Sequence, residues 1–174
     1  IGECGLDFYR IKNLELRIKE RQKELFLQHV ELAHEVGLPL IIHCRDAHED
    51  MSEILFARFG KGKVREHGVM HCFTGNWLQA QSYLDLGFLI SFTGIITFAS
   101  QYDDVVAQTP LEKMLIETDS PYLTPTPNRG KKNKPLYVRY VAERIAEIKG
   151  ISFDEVARQT TENACRLFKL RPQC

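Results

Sequence analysis

Short apolar runs alternate with longer amphipathic stretches along this chain. The apolar runs, each typical of a buried parallel strand, cover residues 1–6, 38–43, 68–72, 88–92 and 113–118. Helical spacing fills the stretches between them, at about 12–36, 47–59, 77–86 and 101–108. Strands that alternate with helices in this way are typical of βα units arranged around a parallel sheet.

Two further helices are predicted after the last strand, at about 136–149 and 152–169. Ser152 with Glu155 three residues later predicts a capping box at the start of the second of these. The first long helix carries apolar residues on one side and is expected to stop at Gly37. These apolar residues are Leu25, Val30, Leu32, Ala33 and Val36.

Length and composition indicate one ordinary globular domain over residues 1–174, with 44% hydrophobic and 26% charged residues. Five parallel strands suit either part of a closed βα barrel or an open, doubly wound sheet. The pattern of apolar runs does not decide between these two architectures.

Charge and cysteine content limit the partners and the cellular location that the chain is expected to have. Lys plus Arg and Asp plus Glu number 23 each, so no net field draws the chain to nucleic acid, and such binding requires a local patch. Five cysteines without a CxxC pair argue against a disulfide framework and a Cys-rich zinc site, and favour the cytoplasm. No apolar run approaches the roughly 20 residues that span a bilayer, so we expect no membrane association.

Polar residues of metal-ligand type fall at the ends of four strands. Glu3 lies in the first strand, His43 ends the second, His71 lies near the end of the third, and Asp119 follows the fifth. Parallel βα barrels carry their chemistry at the carboxyl ends of the strands. Two histidines and two carboxylates meeting there suit Zn²⁺, Mn²⁺ or a similar divalent ion, including a two-metal site for phosphoryl transfer. Each residue alone is also compatible with a structural role.

A dense basic run lies in the loop past the last strand, formed by Arg129, Lys131, Lys132 and Lys134. Loops at this edge of a barrel line the site, so we expect Arg129 and Lys131 to contact a phosphate backbone. A solvated charge run is the alternative interpretation. Arg45, two residues after His43, is a further candidate for binding substrate or for orienting ligands.

The segments GECGLDFY, LPLIIHCRDA, GVMHCFTG, LISFTG and LIETDSPYLTP follow one another in the order of the strand-end motifs of the TatD family of metal-dependent deoxyribonucleases. The chain resembles this family over nearly its whole length. The resemblance implies a (β/α)8 barrel of the TIM type, of which this chain holds about the last five βα units. The N-terminal strands, with two more metal ligands in a His-x-His pair, would then lie outside this chain.

The resemblance also implies roles for single residues. Glu3 bridges two divalent ions (Mg²⁺, Mn²⁺ or Zn²⁺), and His43, His71 and Asp119 are further ligands. Glu3 and Asp119 are the catalytic residues, and a metal-activated water cleaves the phosphodiester bonds of DNA, with single strands as the expected substrate. Family members commonly have Glu in an Arg-Asn-Glu-Pro run after the last strand, where this chain has Lys134.

Two alternatives remain open at this stage. One is hydrolysis of a small ester, lactone or amide on the same barrel, because a fold does not fix a reaction. The other is an inactive, truncated domain that only binds a partner. We expect the complete protein to be a monomer, whereas an open barrel exposes strand edges and favours self-association of this chain alone.

Overall fold

The described part of the protein, in a computed structural model, comprises residues 1–11, 16–60 and 66–171. The strands are β1 (Cys4–Asp7), β2 (Leu40–Arg45), β3 (Gly68–Met70), β4 (Phe88–Phe92) and β5 (Met114–Ile116). The α-helices are α1 (Leu16–Val36), α2 (His48–Phe59), α3 (Trp77–Asp85), α4 (Asp103–Gln108), α5 (Val138–Lys149) and α6 (Phe153–Phe168). The predicted alternation of strands and helices is confirmed over these residues. The first four residues of the predicted first helix, 12–15, lie outside the described part.

The five strands form one parallel sheet in the order β1-β2-β3-β4-β5. A doubly wound sheet reverses its strand order at a switch point. The described strands show no reversal, so that alternative is excluded for them, and the chain has an α/β fold in which each strand pairs with the next. All five carboxyl ends consequently lie along the same edge of the sheet.

The register of the sheet brings the strand-end residues level with one another. Gly5 pairs with His43, and Ile42 pairs with Met70, so that His43 and His71 follow equivalent positions of β2 and β3. The backbone N–H of His71 donates to the carbonyl of Ile42 at 2.8 Å, which continues the ladder past the end of β3. The predicted strand over 68–72 ends early at Met70 because Cys72 has a φ of 46°, outside the extended region.

The main core lies between the sheet and the helices. Leu6 and Ile42 of the sheet are fully buried against Phe26, Val30 and other side chains of the helices. A smaller cluster on the sheet's other face joins Val69, Leu89 and Leu115 to Leu167 of α6. Strand side chains alternate between the two faces of a sheet, so these clusters correspond to its two faces.

The apolar side of α1 is only partly buried, which corrects the simple sequence expectation. Phe26, Val30 and Ala33 face the core. Leu25, Leu32 and Val36 are 50%, 44% and 50% exposed. They lie on a neighbouring stripe, about 100° around the helix from the buried one. The sheet covers one stripe, and no element in the described ranges covers the other.

The helix ends follow local sequence chemistry. Ser152 Oγ accepts the backbone N–H of Glu155 at 3.1 Å, which confirms Ser152 as the N-cap of α6. The Glu155 side chain makes no return bond to the Ser152 N–H among the described residues, so the predicted capping box is only half formed. Gly37, after α1, has a φ of 66°, a left-handed conformation that glycine adopts at little cost. None of the helices in the described part combines the length and the apolarity needed to cross a bilayer.

Candidate metal centre

Three of the predicted ligands come together near the carboxyl ends of β2 and β3. Donor atoms of Glu3, His43 and His71 all lie within 4.8 Å of one another. Glu3 Oε1 is 3.0 Å from His43 Nδ1 and 3.8 Å from His71 Nε2. The strand predicted over residues 1–6 is observed as Cys4–Asp7, so Glu3 lies directly before β1 and not in it. His43 lies in β2 and His71 directly follows β3, and the pairing of these neighbouring strands brings the three side chains together.

The fourth predicted ligand, Asp119, lies beside this cluster. Its Oδ1 is 3.8 Å from His71 Nε2, so Glu3 and Asp119 approach the same ring nitrogen. A separation of 3.8 Å is too long for a hydrogen bond. Atoms that bind one ion at about 2.1 Å lie roughly 3–4 Å from each other. The spacing therefore fits donors arranged around a shared cation.

Glu117 is a site residue that the sequence analysis did not single out. Its Oε2 contacts His71 Nδ1, and its Oε1 accepts the backbone N–H of Cys72 at 2.9 Å. A histidine that donates one ring N–H to a carboxylate presents the other nitrogen in a fixed direction. Glu117 and Asp119 are two residues apart at a strand end, and the period of two along a strand was the signal that could have found Glu117.

The charges of these groups are coupled. Burial alone would lower the pKa of His71, but the hydrogen bond and charge of Glu117, with the charges of Glu3 and Asp119, raise it. Burial alone would raise the pKa of Glu117, but the bond to His71 lowers it. The raised pKa of His71 and the lowered pKa of Glu117 both favour an ionic pair of protonated His71 with ionised Glu117. Burial, together with the charges of Glu117 and Glu3, raises the pKa of Asp119 against the opposing charges of His71 and His43.

His43 has a free nitrogen as well as a bound one. Its Nδ1 faces Glu3, whereas Nε2 is buried, has no hydrogen-bond partner among the described residues and lies 3.5 Å from Asp7 Oδ2. A buried imidazole nitrogen without a partner is costly unless a ligand satisfies it. The orphaned nitrogen, two imidazoles and several carboxylates form a donor set suited to Zn²⁺, Mn²⁺ or Mg²⁺. Asp7 is a second residue that the sequence analysis missed, although it is a carboxylate at the carboxyl end of β1.

These groups open onto a cleft of about 590 Å³. Arg45 and Tyr122 lie on its wall with the four predicted ligands. The guanidinium of Arg45 sits 3.5 Å from the centroid of the Tyr9 ring, a cation–π contact that holds the charge at the mouth of the cleft. Arg45 is thus close enough to the cluster to meet a substrate bound there.

The predicted basic loop is placed differently. Arg129 donates from Nη1 to the carbonyl of Thr124 at 2.8 Å and stacks 3.7 Å from the centroid of the Phe98 ring. Lys131 is exposed, and its carbonyl accepts the hydroxyl of Thr124 at 2.6 Å. Neither side chain is among those that line the cleft. Their contact with nucleic acid stays a prediction.

The thiols near the site are poor candidates for ligands. Cys44 and Cys72 line the same cleft, and burial raises the pKa of each thiol to about 12. Neither thiol belongs to the cluster of donor atoms that Glu3, His43 and His71 form. Cys4, Cys44, Cys72 and Cys165 are free thiols in the described ranges, and none of them forms a disulfide.

Comparison with known proteins gives one consistent picture. A sequence model of the family described as TatD related DNase matches residues 1–169. The uncharacterized metal-dependent hydrolase YabD of Bacillus subtilis is 48% identical over 98% of this chain and 65% of its own length. The 3'-5' ssDNA/RNA exonuclease TatD of Erwinia tasmaniensis is 36% identical over 98% of this chain and 66% of its own length.

A solved structure agrees with these matches. The crystal structure of YjjV, a TatD homolog from Escherichia coli, superposes with a TM-score of 0.86 and 31% identity, over 98% of this chain and 63% of that one. The chain therefore spans less than two-thirds of the length of these relatives.

Proposed function

Because this chain belongs to the family of TatD-related DNases, we propose that it is part of a metal-dependent nuclease that hydrolyses phosphodiester bonds in single-stranded DNA. A metal-dependent hydrolase of the TatD type is the activity class of its relatives. The observation that carries the proposal is the cluster of Glu3, His43 and His71 beside Asp119, at the edge of a parallel sheet.

The complete fold in this proposal is a (β/α)8 barrel, with residues 1–174 forming about its last five units. Three observations support it. The strand order runs from β1 to β5 without reversal. This chain covers 65% and 63% of the length of two of its relatives. The exposed stripe of α1, with Leu25, Leu32 and Val36, is a surface that further βα units would cover.

The metal site in this proposal holds two divalent ions, with the first-strand His-x-His pair of the complete protein as further ligands. Glu3, His43, His71 and Asp119 would be the ligands from this chain. Divalent ions, when bound, supply Lewis-acid activation of water and neutralise charge on the phosphate. The metal content of the purified complete protein would identify which of Mg²⁺, Mn²⁺ and Zn²⁺ it binds.

The residues of this chain have separate tasks in hydrolysis. Glu117 holds His71 through Nδ1, so that Nε2 points toward Glu3 and Asp119. Asp119 takes the proton of the attacking water, because its carboxylate lies at the margin of the donor cluster, 3.8 Å from His71 Nε2, within reach of a water held there. Arg45, at the mouth of the cleft, binds a phosphate of the substrate. Arg129 and Lys131 would meet the backbone further from the bond that is cleaved.

The name of the relative from Erwinia tasmaniensis, a 3'-5' ssDNA/RNA exonuclease, supports nucleic acid as the substrate. The free thiols support a reducing, cytoplasmic location. We expect the complete protein to act as a monomer.

The test is metal-dependent cleavage of labelled single-stranded DNA by the complete protein, compared with an ester, a lactone and an amide. Cleavage of DNA that requires Mn²⁺ or Mg²⁺ is the expected result. Turnover of the small substrates, with DNA left intact, would replace the nuclease by a different hydrolase on the same barrel.

Alanine at Asp119 or at Glu3 is expected to lower kcat by about a thousandfold or more, because each change removes a group that acts on the reacting atoms. The matched control is Glu162→Ala on the exposed face of α6, which leaves the cleft intact. Normal turnover by either the Asp119 or the Glu3 variant would contradict the proposed mechanism.

A further inference from the structure

The loop that carries Asp119 has a demanding backbone conformation. Asp119 has a φ of 53° and Leu123 a φ of 50°, both in the left-handed region. A residue other than glycine is strained in this sparsely populated region and persists there only where its surroundings enforce the conformation. Some contact of the described chain must therefore hold this loop.

Asn133 makes the contacts that hold it. Its side chain is buried, and Nδ2 donates to the carbonyl of Thr118 at 2.8 Å and to the carbonyl of Tyr122 at 2.6 Å. Its backbone N–H donates to Pro121 at 3.2 Å, and its carbonyl accepts the hydroxyl of Ser120 at 3.0 Å. These bonds reach the loop on both sides of Asp119. The amide thus closes the loop around that residue.

A second buried asparagine makes the same pair of bonds at the opposite end of β5. Asn163, on α6, donates from Nδ2 to the carbonyl of Leu111 at 2.9 Å and to that of Met114 at 2.8 Å. Its side chain is fully buried. At each end of β5 an asparagine side chain therefore donates to two backbone carbonyls. Of these two ends, the carboxyl end is the one that carries a predicted site residue, Asp119.

We propose that Asn133 is a positioning residue for Asp119, which it places beside His71 through the loop backbone. The inference rests on the proposed function, which makes Asp119 a metal ligand and base. It also gives a role to the run at 131–135 (KKNKP), in which the sequence analysis singled out Lys134, the residue after Asn133. Lys134 is exposed, and its backbone N–H donates to Asn133 Oδ1 at 2.9 Å. The substitution of Lys for the usual Glu leaves the Asn133 bonds in place.

The test compares Asn133→Leu with Asn163→Leu in the complete protein. Leucine is close to asparagine in shape, carries no charge and removes both donated bonds in each variant. Both changes leave two carbonyls unpaired, so both are expected to lower the midpoint of thermal unfolding. Only Asn133→Leu is expected to weaken the binding of Mn²⁺, by about 10- to 100-fold, the range seen when a group supporting a metal ligand is lost.

Binding is measured by titration of metal-free protein with Mn²⁺, below the unfolding midpoint of both variants. In DNA cleavage, kcat of Asn133→Leu is expected to fall by a similar factor at saturating Mn²⁺, with KM changed less. Equal Mn²⁺ affinities of the two variants would overturn the proposal, because the loss would then be one of stability alone.

Ser120→Ala provides a milder change if Asn133→Leu does not fold. It removes one hydrogen bond to the Asn133 carbonyl from an exposed position. A two- to five-fold loss of Mn²⁺ affinity is expected, about 0.4–1 kcal/mol for one bond. Native affinity in this variant would count against the proposal. Since the readout is metal binding, a protein that binds Mn²⁺ without cleaving DNA would refute the proposed function while the test of Asn133 stands.

Discussion

Replacing Glu117 by glutamine removes one bond from the metal centre whichever way the new amide points. The carboxylate uses both oxygens, one for His71 Nδ1 and one for the N–H of Cys72. Glutamine has a single acceptor oxygen. When Nε2 of His71 binds a metal, Nδ1 carries the ring proton. If the glutamine oxygen then faces Cys72, the NH₂ group faces this ring N–H, and if the oxygen faces His71, the NH₂ group faces the backbone donor. Two donors therefore meet in either orientation.

The size of the effect follows from this count. A buried donor without an acceptor costs about 1–3 kcal/mol. At 1.4 kcal/mol for each factor of ten, this corresponds to roughly 5- to 150-fold. The variant also removes the charge that raises the pKa of His71. We expect the affinity for Mn²⁺ to fall about 10- to 100-fold, in keeping with other carboxylates that support a metal-binding histidine.

The assay is titration of the metal-free complete protein with Mn²⁺, together with DNA cleavage at saturating metal. Glu66→Gln is the matched control, because Glu66 is also a partly buried carboxylate with ionic partners, Lys113 and Arg166, that are not among the residues lining the cleft. Mn²⁺ affinity within about twofold of the native value in Glu117→Gln would refute the reasoning, since a twofold change is only about 0.4 kcal/mol.

Two further predictions concern groups outside the cluster. Arg45→Ala is expected to raise KM for DNA about 3- to 10-fold with little change in kcat, because it removes a charged contact to substrate from an exposed position; a change confined to kcat would be contrary to that role. Burial would raise the pKa of Glu66, but hydrogen bonds from Arg166 and Lys113 lower it below 4.5. Its stabilisation is therefore present above pH 4.5 and lost as the pH falls through the folded-state pKa. Glu66→Gln is expected to cost about 1 kcal/mol in urea unfolding at pH 7 and close to nothing near pH 2; an equal cost at both pH values would contradict the ionic origin.

The strands were predictable because a buried parallel strand needs apolar residues on both faces. The run at 88–92 is observed without change as β4, all of it buried. Boundaries were less predictable where the backbone turns for other reasons, as at Cys72, whose left-handed φ ends the strand before the apolar run does. The α1 helix shows a different limit. Its apolar residues form two stripes, and the sequence does not say which stripe the sheet will cover.

In the candidate site, the sequence predicted the ligands better than it predicted the residues that support them. Glu3, His43, His71 and Asp119 were found because a polar residue at the end of an apolar run is conspicuous. Their partners are less so. Glu117 repeats the strand-face spacing of Asp119 and was accessible to sequence reasoning. Asn133 was not, because its bonds to the loop at 118–122 span a long turn and depend on the folded backbone.

The basic loop after β5 shows that a cluster of charged residues in the sequence does not predict what each side chain contacts. The sequence assigns a basic run to this loop, but it does not give the direction of each side chain. Arg129 turns to the ring of Phe98 and to a carbonyl, and so part of its hydrogen-bonding capacity serves the loop itself. Arg45 stands alone in the sequence, yet the ring of Tyr9 holds it at the cleft. An isolated cation is thus better placed for substrate than the dense run.

The carboxyl edge of the sheet is unbalanced in charge. Glu3, Asp7, Glu117 and Asp119 face two imidazoles, of which His71 is already paired with Glu117. The raised pKa of Asp119 reflects this, since its burial and the neighbouring Glu117 and Glu3 disfavour a further negative charge. A divalent cation at this edge offsets the repulsion and favours ionised Asp119, the form needed to accept a proton. Metal binding and the ionisation of Asp119 are therefore linked by one electrostatic cause.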